Sequence, residues 1–321
     1  MNNKGIGTWI HRRRVKSAGR EALVHGGVAI PYEQLADRID RLANGLAERR
    51  IGEGDRVAYL GENHPAFLET LFAAGLLGAV FVPVNTRLAP PEIQHTLSDS
   101  GAKILVHSPE LAAAATAGAA GTAVTHRLVA SDDDPPAGAA EGFVVESLDA
   151  VVEAAPADHR DVPVELTDPA MILYTSGTTG RPKGALLTHG NITWNCMNVL
   201  VDYDVASDTV ALMISPMFHV ASLSMGVLPT LLKGGTVVLE ARFDPARVLK
   251  LIEQYRVTSM SGVPTTYQML SEHPAWPGTD LGSLRTLTCG GSAVPLRVID
   301  AYEQRGLAFT CLLYTSPSPR D

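Results

Sequence analysis

The sequence has few cysteines, no long apolar run and no excess of basic side chains. Its three cysteines show no paired spacing, which fits a reducing compartment and gives no zinc-binding pattern. The longest apolar run, residues 71–84, contains Pro83 and is shorter than the ~20 residues of a bilayer-spanning helix. Residues 1–20 lack the apolar stretch of a secretory leader. We therefore expect a cytoplasmic protein without a transmembrane segment.

The charge balance also narrows the class of partner. The chain carries 26 basic and 34 acidic side chains, which gives a formal net charge of −8. An acidic chain of this kind is not expected to bind nucleic acid or an anionic membrane surface. With 321 residues and 45% hydrophobic side chains, it has material for about two domains with packed cores.

Helical and extended patterns alternate along the chain. Leu35, Ile39, Leu42 and Leu46 follow one face of a helix that opens after Pro31. We predict strands at 57–60, 80–84, 104–107, 171–174, 210–214, 236–239, 258–263 and 284–289 and further helices at 64–77, 90–97, from 191, at 244–255 and at 295–305. Such alternation is typical of an α/β fold with a parallel sheet. The Ala- and Gly-rich stretch 111–141 is interpreted as a variable surface excursion.

Residues 174–184, YTSGTTGRPKG, form the densest functional pattern. Small residues let backbone N–H groups approach phosphate oxygens, hydroxyls donate to them, and Arg181 and Lys183 offset their charge. A Walker A loop is excluded, because Gly-Ala rather than Ser or Thr follows the lysine. A generic Gly/Thr hairpin would rarely carry this whole series. The predicted phosphate-binding residues are Thr175, Ser176, Gly177, Thr178, Thr179, Gly180 and Lys183.

Five further segments lead to a family resemblance. They are GDRV at 54–57, VPVN at 82–85, PMFHV at 216–220, GVPT at 262–265 and CGGSAVP at 289–295. Together with the phosphate loop, these segments resemble the adenylate-forming superfamily and, within it, the acyl-CoA synthetases. A lone histidine such as His219 is more often a core residue, but its place after Pro-Met-Phe favours a site. The resemblance covers essentially residues 1–310.

The resemblance implies a fold and a domain organisation. It implies stacked, mostly parallel sheets flanked by helices, in a partial N-terminal AMP-binding domain at 1–310 with two α/β subdomains divided near 165–190. The phosphate loop should join two strands at a sheet edge, near Gly290 and Gly291 in space. Residues 311–321, CLLYTSPSPRD, resemble a translated sequencing adapter, so we expect a non-native tail that packs against nothing. The family's C-terminal lid domain is then expected to be absent.

The resemblance also implies a chemistry. An acid reacts with ATP and Mg²⁺ to give an acyl-adenylate and pyrophosphate, and CoA then displaces AMP. Lys183 and His219 take the catalytic roles, and Thr175 is the tentative Mg²⁺ ligand. Gly290, Gly291 and Ser292 would bind the adenine side of the nucleotide. His219, Val220, Gly262, Val263 and Pro264 would line the pocket for the acid.

The substrate remains open at this stage. His219 and Val220 stand where amino-acid-activating relatives usually carry an aspartate, which favours a carboxylic acid without an α-amino group. The small or apolar residues that follow favour a fatty acid, while an aryl-CoA ligase stays an alternative. Transfer to a carrier protein and a non-catalytic nucleotide-binding fragment are further alternatives, and a homodimer is possible. Because half of the implied site is missing, we expect the 321-residue chain itself to be inactive and poorly soluble.

Overall fold

The computed structural model describes residues 2–131, 138–140, 142–160, 162–175 and 181–311. Its strands are β1 (Glu21–His25), β2 (Val28–Pro31), β3 (Arg56–Leu60), β4 (Val80–Pro83), β5 (Ile104–His107), β6 (His126–Val129), β7 (Gly138–Ala140), β8 (Phe143–Ser147), β9 (Pro169–Thr175), β10 (Lys183–Thr188), β11 (Val210–Met213), β12 (Thr236–Leu239), β13 (Ser259–Gly262), β14 (Thr286–Cys289) and β15 (Phe309–Cys311). Its helices are α1 (Trp9–Ser17), α2 (Tyr32–Glu48), α3 (Pro65–Leu76), α4 (Pro90–Ser100), α5 (Ala112–Ala119), α6 (Leu148–Ala154), α7 (His189–Asp202), α8 (Leu228–Lys233), α9 (Pro245–Gln254), α10 (Pro264–Ser271) and α11 (Leu296–Glu303).

The chain forms two compact units. Unit 1 comprises Met1–Arg20 and Pro31–Asn195, and unit 2 comprises Glu21–Ile30 and Cys196–Asp321. The passage from one unit to the other falls within α7, just beyond the predicted range 165–190. The short strands β1 and β2, which the sequence patterns did not predict, belong to the sheet of unit 2.

Unit 1 is built on an eight-stranded sheet in the order β10-β9-β4-β3-β5-β6-β8-β7. The six inner strands run parallel, and the two edge strands, β10 and β7, pair antiparallel with their neighbours. Inner strands with helices on their faces are expected to be apolar throughout, and β4 and β5 are buried along their whole length. The apolar face of α2 predicted from the leucine and isoleucine spacing is buried in full.

Unit 2 is built on a seven-stranded sheet in the order β15-β14-β13-β11-β12-β1-β2. The pairings from β15 to β1 are all parallel. Leu212, Met260 and Leu287, from the centres of adjacent strands, belong to one buried cluster with the apolar face of α9. Asp244 caps that helix as predicted, because its Oδ1 accepts a 2.7 Å hydrogen bond from the N–H of Arg247.

Two sequence-based interpretations need correction. Within the described part of 111–141, the chain forms α5 and the fully paired strand β6, with Leu128 buried, so the stretch is not a surface excursion throughout. Its alanines pack against the neighbouring helix α4, where small side chains permit a close approach. The first residue of the expected tail, Cys311, lies in β15, where its backbone is the parallel-strand partner of Cys289 in β14. Residues 312–321 lie outside the described structure.

The α/β architecture with two mostly parallel sheets flanked by helices is confirmed. Within the ranges given above, no helix combines the length and apolar composition that crossing a bilayer requires.

Candidate functional site

In unit 1, the predicted phosphate loop joins β9 to β10 at the edge of the sheet. Thr175 and Lys183 are direct partners across this antiparallel pair. Residues directly opposite each other in such a pair project from the same face of the sheet, so the Thr175 hydroxyl and the Lys183 ammonium share one face. Both residues are exposed. The hairpin therefore presents a donor hydroxyl beside a cation, which is an arrangement suited to an anion.

Helix α4 anchors both arms of this hairpin. The hydroxyl of Tyr174 donates a 2.6 Å hydrogen bond to Asp99 Oδ2, and burial together with that carboxylate raises the pKa of Tyr174. His95 Nε2 lies 3.1 Å from the carbonyl oxygen of Pro182 on the other arm. A side chain at Gly184 would bring a Cβ to 2.7 Å from Ile172 Cγ2, so glycine permits the close pairing there. These contacts fix the base of the loop.

The loop itself lies largely outside the described residues. Ser176, Gly177, Thr178, Thr179 and Gly180 fall in the part of the chain whose structure is not described. Their phosphate-binding roles, and the approach of Gly290 and Gly291 to this loop, stay predictions. The prediction that the loop connects two strands at the edge of the sheet is confirmed by the flanking residues.

In unit 2, three predicted segments follow three neighbouring parallel strands. The PMFHV segment follows β11, Gly262-Val263-Pro264 ends β13, and Gly290-Gly291-Ser292 follows β14. Since β11, β13 and β14 are adjacent and parallel, their carboxyl ends lie at one edge of the sheet. Open α/β sheets bind ligands outside the carboxyl ends of their strands. The topology thus brings all of these segments to one place.

Glycines let the strand ends approach each other closely. The Gly290 N–H donates a 3.1 Å hydrogen bond to the carbonyl oxygen of Gly262, which continues the β13–β14 pairing by one residue. Gly291 has φ +90°, in a region that L side chains rarely adopt. Val263 and Ser292 are exposed next to this pair, whereas Pro264 is buried as the first residue of α10. Backbone groups and small side chains therefore dominate this edge.

His219 and Val220 lie in the turn that leaves β11. Both are exposed, and the His219 N–H donates a 3.2 Å hydrogen bond to the Pro216 carbonyl oxygen. The His219 ring lies 4.6 Å from the Phe218 ring, centroid to centroid. A π-helical turn, Ser222–Val227, follows directly, and such turns are frequent at functional sites. His219 is therefore a surface group beside the strand ends and not a core histidine.

Sequence reasoning missed Tyr267, a buried tyrosine of α10 that contacts the backbone of β13 and β14 near their carboxyl ends. The Tyr267 hydroxyl lies 2.7 Å from the carbonyl oxygen of Thr288 and 3.1 Å from that of Met260. Its ring is fully buried and packs at 4.7 Å from Phe309 and 5.6 Å from Tyr302. The residue holds β13 and β14 together just before their glycines. The sequence signal that could have identified Tyr267 as a buried residue is its position on the apolar face of α10.

A cavity of about 220 Å³ also lies in unit 2, along one face of its sheet. Four alternating strand residues contribute hydroxyls to its lining: Ser259, Ser261, Thr286 and Thr288. The side-chain oxygens of Ser261 and Thr288 are 2.6 Å apart, one residue before the end of each strand. Met225 and Gly226 of the π-helical turn form part of the opposite wall. The cavity is compact and has both polar and apolar lining.

Two mostly parallel sheets flanked by helices match the N-terminal domain of adenylate-forming enzymes. The chain belongs to the AMP-binding enzyme family, whose model matches residues 10–314. Feruloyl-CoA synthase of an Amycolatopsis species is 52% identical over 312 residues, which are 96% of this chain and 59% of that protein. The long-chain-fatty-acid–CoA ligase FadD13 of Mycobacterium tuberculosis is 32% identical over 306 residues, covering 95% of this chain and 58% of that protein.

A solved structure shows the same fold. The inhibitor-bound N-terminal domain of FACL13 from Mycobacterium tuberculosis superimposes with a TM-score of 0.86 at 31% identity, covering 96% of this chain and 74% of that one. The chain spans 59% and 58% of the length of the two curated relatives named above.

Proposed function

We propose that this chain forms the nucleotide- and acid-binding part of an acid–thiol ligase that makes an acyl-adenylate from ATP and then a CoA thioester. The observation that carries the proposal is the convergence of the three segments at the carboxyl edge of unit 2, combined with the Thr175–Lys183 pair in unit 1. A carboxylate is a poor electrophile, and adenylation gives it a good leaving group. The use of ATP and CoA by this chain is part of the proposal.

Each unit has a separate role in this proposal. Lys183 stabilises the charge that develops on the departing pyrophosphate, and the loop hydroxyls donate to its oxygens. Gly290, Gly291 and Ser292 offer backbone and hydroxyl groups to the adenosine part. His219 contacts the reacting carboxylate, because its exposed ring stands at the strand-end edge.

Magnesium is proposed as a partner of the phosphates. Mg²⁺ is usually held through one or two carboxylates plus phosphate oxygens. Thr175 supplies one exposed hydroxyl oxygen, which fits a subsidiary ligand but is not a complete site. When bound, the ion would neutralise phosphate charge, and Thr175 would orient it from the face that it shares with Lys183.

For the acid, we propose a hydroxylated aromatic acid of the ferulate type. The relative at 52% identity is named for feruloyl-CoA, and the residue after His219-Val220 is the small Ala221. The hydroxyl-lined cavity of about 220 Å³ supports a compact acid with polar substituents. The Ser261–Thr288 pair would hydrogen-bond a ring substituent, because each oxygen lies one residue before a strand end.

A fatty acid is the second candidate. The apolar Val220, Leu223 and Met225 suit an aliphatic chain, and FadD13 is named for long-chain fatty acids. The Ser and Thr lining of the cavity is less favourable to such a chain, since it would leave hydroxyls without a polar partner.

The test joins this chain to the C-terminal part of the Amycolatopsis relative that lies beyond the match. Pyrophosphate release and thioester formation are measured with ATP, Mg²⁺, CoA and either ferulate or palmitate. We expect kcat/KM for ferulate to exceed that for palmitate by about tenfold or more. Palmitate preference would favour the second candidate, and no pyrophosphate release with either acid would overturn the proposed function. Ser261→Ala should reduce the ferulate preference, with Ser283→Ala as the matched control.

Cytoplasmic location and a homodimer, both expected from the sequence, also remain proposals. Light scattering of the purified chain over a range of concentrations tests the dimer.

A further inference from the structure

Three residues that are distant in sequence meet in unit 1, apart from every segment discussed above. His11 lies in α1, Asp40 in α2, and His159 in the segment after α6. His11 Nε2 is 2.9 Å from Asp40 Oδ1, and His159 Nδ1 is 2.8 Å from the same oxygen. One ligand atom from each residue lies within 4.8 Å of the other two. The imidazole centroids are 4.4 Å apart.

The cluster is buried on one side and reaches solvent on the other. Asp40 is 1% exposed and His11 5% exposed, whereas the His159 side chain is 31% exposed. Because the His159 side chain reaches solvent, a small ion could enter along it and meet the Asp40 carboxylate.

Hydrogen bonding accounts for only part of this cluster, since His159 Nδ1 and Asp40 Oδ1 form a 2.8 Å hydrogen bond but other buried atoms have no partner. Neither nitrogen of His11 has a hydrogen-bond partner, although Nε2 stands so close to Asp40. Asp40 Oδ2 also accepts no hydrogen bond, and its nearest cation, Arg14 Nη1, is 3.6 Å away. Buried polar atoms without partners are rare in folded proteins and often mark an absent ion or water. Here they belong to His11 and Asp40, two side chains that are good metal ligands.

The spacing suits a metal ion. Two ligands at ~2.1 Å from one zinc ion lie about 3.0–3.4 Å apart at ordinary coordination angles. The observed separations of 2.8 and 2.9 Å need only a small expansion to reach this range. Imidazole with one carboxylate selects zinc and similar first-row divalent ions over Mg²⁺ and Ca²⁺, which prefer oxygen ligands.

The surroundings hold the third ligand in place. Asn44 Nδ2, one turn after Asp40 in α2, donates 2.8 Å hydrogen bonds to the carbonyl oxygens of Pro156 and Asp158. Asn44 Oδ1 accepts a hydrogen bond of 2.5 Å from Arg160 Nε, so the guanidinium of Arg160 is held at the Asn44 amide. Such supporting contacts orient ligands and strengthen metal binding. Arg14, whose side chain is 39% exposed, can move outward when a cation binds.

We propose that His11, Asp40 and His159 form a structural binding site for a divalent transition-metal ion of the zinc type. The ion would be held by His11 Nε2, the Asp40 carboxylate and His159 Nδ1, with water completing the coordination on the solvent side. It would tie the N-terminal helix α1 to α2 and to the segment after α6. Binding involves no change in oxidation state, since zinc is redox-inert.

The test uses the 321-residue chain, purified without a histidine tag and treated with a chelator. Titration calorimetry with Zn²⁺ should show one ion per chain, while Mg²⁺ at the same concentration should show no comparable heat. Co²⁺ should bind at the same site and give visible d–d absorption that Zn²⁺ displaces. Absence of a saturable equivalent of Zn²⁺ would overturn the proposal.

Variants separate this site from adventitious binding. His159→Gln should weaken Zn²⁺ binding by about tenfold or more. The side chain of His159 is partly exposed, so this substitution leaves the buried core unchanged. His126→Gln, a histidine of β6 in the same unit, is the matched control and should bind as the parent does. His159→Cys should keep binding and add a thiolate-to-cobalt charge-transfer band in the near ultraviolet. Unchanged affinity in His159→Gln, with no such band in His159→Cys, would contradict the assignment.

Discussion

The two units present their candidate binding groups in different ways. Unit 1 offers side-chain charge on an antiparallel edge hairpin, where Thr175 and Lys183 are exposed partners. Unit 2 offers backbone and small side chains at the ends of parallel strands, where Gly262 and Gly290 are hydrogen-bonded. A single side-chain truncation can therefore remove charge in unit 1, whereas the proposed binding in unit 2 would depend on backbone conformation and on the groups that hold it.

The two units also contain buried polar side chains that differ in how they respond to pH. Unit 1 buries His107 and His189, and burial lowers the pKa of each to about 4. Unit 2 buries Tyr267 and Tyr302, whose hydroxyls hydrogen-bond to backbone carbonyls. Histidines change charge in mild acid and tyrosine hydroxyls do not. The two units should thus respond differently to pH.

The largest expected effect is the loss of the exposed cation in unit 1. In the joined ligase described above, Lys183→Ala should slow pyrophosphate release by ~10²–10³-fold, since one donor to developing charge is removed. Lys250→Ala, an exposed lysine of α9, is the control and should leave the rate unchanged. A Lys183→Ala rate equal to that of the parent would remove the hairpin from the mechanism. Thr178→Ala extends the test into the loop and should also slow adenylation.

Acid should destabilise unit 1 before unit 2. The folded-state pKa of His107 and of His189 is about 4, below the unfolded value of about 6.5, so the unfolded state binds more protons between these values. Stability is therefore present above pH 6.5 and lost as the pH falls towards 4, by up to ~1.4 kcal/mol per pH unit for each histidine.

Urea unfolding followed by tryptophan fluorescence checks this difference. The variant Trp276→Phe leaves the signal of Trp9 and Trp194 in unit 1, and Trp9→Phe with Trp194→Phe leaves that of Trp276 in unit 2. The midpoint for unit 1 should fall more steeply between pH 7 and 4.5. Parallel loss in both units would contradict the prediction.

In unit 2, removal of one buried hydroxyl should have a smaller effect. Tyr267→Phe withdraws a donor from the carbonyl oxygens of Thr288 and Met260, and a buried group left unsatisfied costs ~1–3 kcal/mol. The free energy of unfolding from urea titration measures the loss. Tyr255→Phe, a partly buried tyrosine of the same unit, should change it much less. Equal effects of the two substitutions would show that the hydroxyl does not hold the strands.

The smallest expected effect concerns the backbone at the strand ends. Gly291→Ala forces a β-carbon into a left-handed conformation, which destabilises by ~1–2 kcal/mol. We expect a lower melting temperature together with weaker ATP binding. Gly278→Ala, which has open space around its Cα and no positive φ, should be close to neutral in both measurements. Full retention of ATP binding by Gly291→Ala would contradict the proposed role of Gly291 in binding the nucleotide.

Several elements were predictable because their signals are local. The helix α2 follows the spacing of its apolar residues, and α9 starts at the Asp244 cap. The hairpin at 174–184 could be read as strand, loop and strand, because the residues after Lys183 retain an extended pattern. By contrast, α5 and β6 were missed, because alanine and glycine carry little periodic signal and their order depends on packing against α4.

The sequence by itself determined the alternating α/β pattern, the family resemblance and the choice of candidate site residues, because these depend on local spacing and side-chain type. Tertiary structure alone decided that β1 pairs with β12 and that Tyr267 reaches the carbonyl oxygens of β13 and β14. It also decided that His11, Asp40 and His159 meet around one carboxylate oxygen. Each of these contacts joins residues far apart in the chain, and such contacts form only when sheets and helices pack.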